Sequence, residues 1–84
     1  MRSRDFLAAL GAAIRTRRIE LGLSQEELAD SIGLHRTYIG GVERGERNLG
    51  VENLARFARG LRLKVSELAA AAEGIRTSSR GTGK

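Results

Sequence analysis

The sequence predicts an all-α fold, a single small domain of five helices. Three observations carry that expectation. The chain has no Pro, is rich in Ala, Leu, Arg and Glu, and shows no alternating run of β-branched residues that would mark a strand. Apolar residues recur at three- and four-residue spacing along most of its length. Glycines at 22, 33 and 45 interrupt that periodicity where helices have to stop. With 84 residues there is room for one small core.

The first helix is expected from about Arg4 to Leu21, closed by Gly22, with Leu7, Leu10, Ile14, Arg18 and Leu21 on its inward stripe. Arg18 is the odd member, a charge on a face that should be apolar. The second helix opens at Ser24, a good N-cap, and Glu27 three residues on completes a capping-box pattern. Leu28, Ala29 and Ile32 make its apolar face, and the smallness of Ala29 leaves room for a second helix to cross closely. Gly33 ends it where a left-handed turn residue is wanted. A third helix, about 35–44, follows Leu34 with a stripe at Tyr38, Ile39 and Val42, and Gly45 stops it. Glu43 continues that stripe and mirrors the oddity of Arg18. Two opposite charges on buried stripes are best satisfied as a pair.

Gly50 is a tolerable N-cap for a fourth helix, about Val51 to Leu61, whose inward residues are Leu54, Phe57, Ala58 and Leu61. A fifth helix starts near Val65 with Leu68, Ala69 and Ala72 inward, and Glu67 suits its positive end. Residues 76–84, RTSSRGTGK, are basic, polar and without periodicity, and are expected to form a disordered tail to a domain of residues 1–75.

Composition excludes more than it assigns. There is no Cys, so neither a disulfide nor a thiolate zinc site is available, and a single His makes a metal site or a catalytic centre a poor expectation. No cofactor, no small-molecule ligand and no enzyme activity are therefore inferred. No apolar run approaches the ~20 residues that span a bilayer. The start MRSRDFLAAL has basic residues and then a short apolar patch, but Asp5 and the amphipathic continuation point to a helix and not a signal peptide. No membrane partner is expected, and the cytoplasm is the expected location. The net charge of +5 hints at nucleic acid. Counting by region weakens the hint: residues 1–75 hold 12 basic and 10 acidic groups, and residues 24–48 hold three Arg against five acids. Pattern, not charge, has to carry the function.

That pattern lies in SQEELADSIGLHRTYIGGVERG, residues 24–45. Ala29, Gly33 and Ile39, with Leu28, Ile32, Leu34 and Val42 around them, resemble the helix-turn-helix of regulators of the Cro and phage-repressor type, often called XRE-like. With LGLSQEELA before and ERG after, the resemblance covers roughly residues 7 to 72. It implies a compact five-helix, lambda-repressor-like DNA-binding domain. Within that family, HRTYIGGVERGERNL is similar to the controller proteins of restriction–modification systems, through Arg36, Thr37, Tyr38, Ile39, Glu43, Arg44, Gly45, Arg47 and Asn48. His35 stands where an acidic residue is usual, and Gly40 where Ser is. Both departures bear on which DNA sequence is read, not on the fold.

The resemblance implies a role for each residue. In such a motif the second helix lies in the major groove while the first crosses the backbone. Ser24 and Gln25, at a helix N-terminus, would then meet phosphate. Arg36 is the first choice for base reading, since it can reach guanine O6 and N7 bidentately, and Thr37 can bond a base or offer its methyl to thymine. Tyr38 divides between a core residue and a base contact. Gly40 and Gly41 divide between drift at an exposed surface and a close approach of helix backbone to the groove. His35 is expected to start the helix as a cap or phosphate neighbour. Arg44, Arg47 and Asn48 would meet flanking phosphates. Arg18 and Glu43 match a family pair that joins the first helix to the end of the third. The partner is double-stranded DNA, bound by a homodimer on an inverted repeat, with the loop before the fifth helix and Leu63, Leu68 and Ile75 as the candidate dimer surface. Association with the nucleoid follows. Two rivals stay open from sequence: an antitoxin-type DNA-binding repressor, and a protein-interaction module built on the same fold.

Overall fold

The computed structural model describes the backbone of residues 3–82 and the side chains of residues 5–75. Within them the chain forms five helices: α1 (Ser3–Glu20), α2 (Gln25–Ile32), α3 (Arg36–Glu43), α4 (Val51–Gly60) and α5 (Val65–Thr82). The two long helices, α1 and α5, pack against each other along one side. The short α2 and α3 lean on α1 and α4 across the other.

The core is built from the stripes that the spacing marks. Ile14, Leu28, Ile39, Phe57, Leu61 and Leu68 are fully enclosed, with Ala13, Ala29, Ala58 and Ala72 between them. Each large side chain so buried contributes about 1.5–3 kcal/mol relative to exposure. At the start of α1 the inward face differs in part from expectation: Leu10 is in the core as expected, Ala9 joins it and Phe6 packs against it, while Leu7 lies half-buried outside it.

α2 has the firmest ends. The Ser24 Oγ accepts the Glu27 N–H at 3.0 Å and the Glu27 carboxylate accepts the Ser24 N–H at 2.8 Å, a complete capping box. Gly33 closes the helix at φ 73°, in the left-handed region, where its N–H reaches the Ala29 carbonyl. Close approaches between other helices also depend on glycine. A Cβ on Gly60 would strike the Ile32 side chain, and one on Gly11 would strike the Val42 carbonyl of α3.

α5 departs most from the sequence reading. Its backbone continues to Thr82, past the boundary set at 75 and through most of the stretch expected to be a disordered tail; Gly83 and Lys84 lie outside the described residues. Extending an existing helix costs far less than starting one, and no Pro intervenes to stop it. Leu68, expected inward on the fifth helix and also offered as a dimer residue, is 0% exposed in the core, so the inward reading holds and the dimer one does not. Leu63 is half-buried and Ile75 stays exposed.

Candidate nucleic-acid interface

α2 and α3 meet through the turn Gly33–Leu34–His35, and their exposed sides form one continuous face. His35 is the N-cap of α3, in extended conformation, and no side chain caps that end. Arg36 and Thr37 follow in the first turn. Both are exposed, and neither side chain has a hydrogen bond or ion pair among the described residues. They hold their place because Ile39 and Val42, on the opposite side of the same short helix, are buried in the core.

Beneath this face sits the buried pair. The Arg18 Nε donates to Glu43 Oε2 at 2.6 Å and Nη2 donates to Oε1 at 3.0 Å, a fork-to-fork contact between α1 and the last turn of α3. Arg18 Nη1 also donates to the Leu23 carbonyl at 2.7 Å, which pins the loop before α2. Hydrogen bonding to Glu43 raises the Arg18 pKa above its ordinary value, against the opposing pull of burial. Gln25 completes the group: its Nε2 donates to Glu43 Oε1 at 3.0 Å. Hence the start of α2 and the end of α3 are locked to one carboxylate. Gln25 retains one amide hydrogen for an outside acceptor, and the Ser24 hydroxyl, which accepts from Glu27, still has its proton to donate.

Tyr38 is turned away from the exposed side of α3. Its ring packs on Phe57, with centroids 6.4 Å apart, and its hydroxyl donates to the Asn48 carbonyl at 3.4 Å. The Asn53 amide, from the first turn of α4, donates to the same hydroxyl at 3.3 Å. The Arg47 guanidinium lies over the ring, 5.9 Å from its centroid. Tyr38, Arg47 and Asn53 line an open groove of about 470 Å³ with Leu34, His35 and Thr37. Asn53 escaped the sequence reading. Its polar partner lies fifteen residues away, and no helical spacing marks it.

Arg44 and Asn48 are exposed at the far end of α3, and Arg44 pairs with Glu46 at 3.1 Å. Gly40 and Gly41 are both buried. The space beside Gly40 is taken by the Arg44 guanidinium and that beside Gly41 by the Arg47 stem, so neither lies on the open surface that drift at an exposed position would require. Ser24, His35, Arg36, Thr37, Arg44, Arg47 and Asn48 are all exposed, whereas Tyr38 and Gln25 face partly inward. Among the described residues no group of three His, Asp or Glu side chains could hold a metal ion, and no helix is long and apolar enough to cross a membrane.

Known proteins share this fold. The control protein C.SmaI of Serratia marcescens is 45% identical over 64 residues, 76% of each chain. The crystal structure of the restriction–modification controller C.AhdI from Aeromonas hydrophila superposes with a TM-score of 0.72 at 45% identity, over 74% of this chain and 94% of that one. The controller C.Esp1396I, solved as a tetramer in complex with its natural 35-base-pair operator, superposes with a TM-score of 0.72 at 34% identity, over 80% of this chain and 92% of that one. Residues 14–68, from the middle of α1 to the first turn of α5, match the helix-turn-helix family, and the chain belongs to it.

Proposed function

We propose that this protein is a sequence-specific regulator of transcription that binds double-stranded operator DNA as a two-fold dimer on an inverted repeat, with α3 in the major groove, and that its closest role is that of a restriction–modification controller. The observation that carries the reading is the first turn of α3: Arg36 and Thr37 project from a helix seated in the core, with no partner among the described residues. An exposed cation on a helix whose opposite face is buried in the core suits guanine recognition. The similarity to a controller solved on its operator supports the same docking.

The roles divide by geometry. Arg36 and Thr37 read bases. Ser24, Gln25, His35, Arg44, Arg47 and Asn48 around them hold phosphates and set the register. Tyr38 supports the face from behind, through Phe57 and Asn53. The work is binding and not catalysis, needs no metal or cofactor, and places the protein on the nucleoid.

Selection of bound sites from random duplex DNA tests this. The full chain should enrich an inverted repeat, chelator should make no difference, and affinity should fall steeply with salt as phosphate contacts release counterions. Arg36→Ala should cost ~1–3 kcal/mol on the selected site and flatten preference at one base pair per half-site. Enrichment of no sequence above random duplex would sink the reading. If Arg36→Ala weakens every site variant alike and preserves their ranking, another residue reads the base.

A further inference from the structure

Two adjacent glycines inside α3 weaken a helix that already lacks a side-chain cap. Some contact has to require them, and the structure gives each a different neighbour. A Cβ on Gly40 would lie 3.1 Å from Arg44 Nη1, the far tip of a side chain that already pairs with Glu46 and can swing aside. A Cβ on Gly41 would lie 2.8 Å from the Arg47 Cγ and 3.5 Å from its Nε. That is the middle of the stem. Arg47 could not keep its course across the helix if residue 41 had a side chain.

The course of Arg47 is set at its other end too. Its guanidinium lies over the Tyr38 ring, one helical turn from Gly41 on the same side of α3. Tyr38 is fixed by Phe57 beneath, by the Asn53 amide and by the Asn48 carbonyl. A continuous set of contacts therefore runs from the core through Tyr38 to an otherwise exposed loop arginine, and Gly41 is the gap that lets it close.

We propose that Gly41 is a positioning residue of the DNA interface: the missing side chain lets Arg47 fold back across α3 onto Tyr38, so that its cation waits at the rim of the groove before DNA arrives. The inference rests on the DNA-binding reading and names why this helix carries glycine there: the room belongs to the protein's own arginine and not to the nucleic acid backbone. A long side chain ordered in advance loses less freedom when it meets phosphate.

The test uses Gly41→Ala, Arg47→Ala and the double variant in the full chain. Tyr38 is the only Tyr and there is no Trp, so its fluorescence and ring-proton resonances report on the guanidinium without DNA. Both single variants should shift the Tyr38 signals in the same direction, and the double should shift them no further. On the selected operator, Gly41→Ala should weaken binding about two- to tenfold, the effect of one side chain left to order on binding. In the Arg47→Ala background it should change nothing. Its melting temperature should meanwhile hold or rise, because Ala is the better helix former. Lower affinity with equal or higher stability is a combination that a merely structural glycine does not produce.

An unchanged Tyr38 signal in Gly41→Ala overturns the proposal. So does an equal loss of affinity with and without Arg47, which would mean that DNA itself occupies the space, and so does a fall in melting temperature that Arg47→Ala does not relieve. The Tyr38 signal needs no DNA, so a chain that selected no operator would defeat the DNA-binding reading separately.

Discussion

Arg18 uses all three of its guanidinium nitrogens: Nε and Nη2 on Glu43, Nη1 on the Leu23 carbonyl. The pair is 8% and 9% exposed, so neither charge can turn to water if the other is removed. Arg18→Met or Glu43→Leu alone should cost ~3–5 kcal/mol, while the two together should cost far less, since an apolar pair leaves no buried charge behind. Urea melts of the four chains decide it, and strict additivity would mean that the two residues have no coupling. The sign of the pH dependence follows from the raised Arg18 pKa. A group whose folded pKa lies above its unfolded value stabilises fully below the unfolded one and loses that stabilisation only as pH rises through the folded one. For an arginine that range lies above any working pH. The two positions were legible in sequence because opposite charges interrupt two apolar stripes. The part of Gln25 was not, because an amide on a helix start has no preferred partner type. Tyr38 reads from sequence as core or contact because one ring can do both: it packs on Phe57 while lining the open groove beside Thr37.

The elements differ in how openly the sequence announces them. α2 has Ser24, Glu27 and Gly33 at its ends, and each is a local signal with a local cause. α3 has neither a side-chain cap nor good helix formers at 40 and 41; its stability comes from Ile39, Val42 and Glu43 against the rest of the molecule. Close approaches were hidden for a related reason. Gly11 sits mid-helix and Gly60 at the end of α4, where sequence shows only a helix weakener or a stop, and the Val42 carbonyl and Ile32 side chain that require them are distant in the chain. The turn after α4 hid something else. Arg62 adopts φ 60°, a left-handed residue of the kind that Gly22, Gly33 and Gly45 supply at the other turns. Leu63 N–H reaches back to the Ala58 carbonyl at 2.8 Å across it. An arginine gives no warning of that conformation. Arg62→Gly should relieve the strain, and after the extra freedom of Gly in the unfolded chain is subtracted, it should stabilise the fold by about 0.5–1 kcal/mol. Thermal or urea melts check this, and a clear loss of stability would mean that the exposed Arg62 side chain contributes more than its backbone costs.

At the scale of the molecule, two faces matter for binding once the core is closed. One is the α2–α3 surface, legible because a helix-turn-helix is a local motif of fixed spacing. The other is the open groove of about 310 Å³ bounded by α1, α5 and the loop before α5, where Ala13, Leu63, Ala71 and Ile75 lie among Arg17, Glu20 and Glu67. An apolar floor with both signs of charge at its edge suits a self-complementary two-fold contact. A domain this small covers only one half-site, so tight binding to an inverted repeat about 34 Å along the duplex from centre to centre needs two copies held in register. Periodicity alone could not say which leucines of α5 and the loop before it face a partner, because core and interface residues fall on the same stripe. Burial separates them: Leu68 is 0% exposed and Ile75 is 37% exposed. The two should therefore respond differently. Leu68→Ala should destabilise the fold by about 2–5 kcal/mol, read as a lower urea midpoint. Ile75→Glu should leave the fold within about 0.5 kcal/mol of the parent, as surface changes usually do, while sedimentation shows a monomer at concentrations where the parent is a dimer. Operator binding by Ile75→Glu should then become strongly concentration-dependent and weak, although each half-site contact is intact. A dimer that survives Ile75→Glu unchanged would place the two-fold axis on another face.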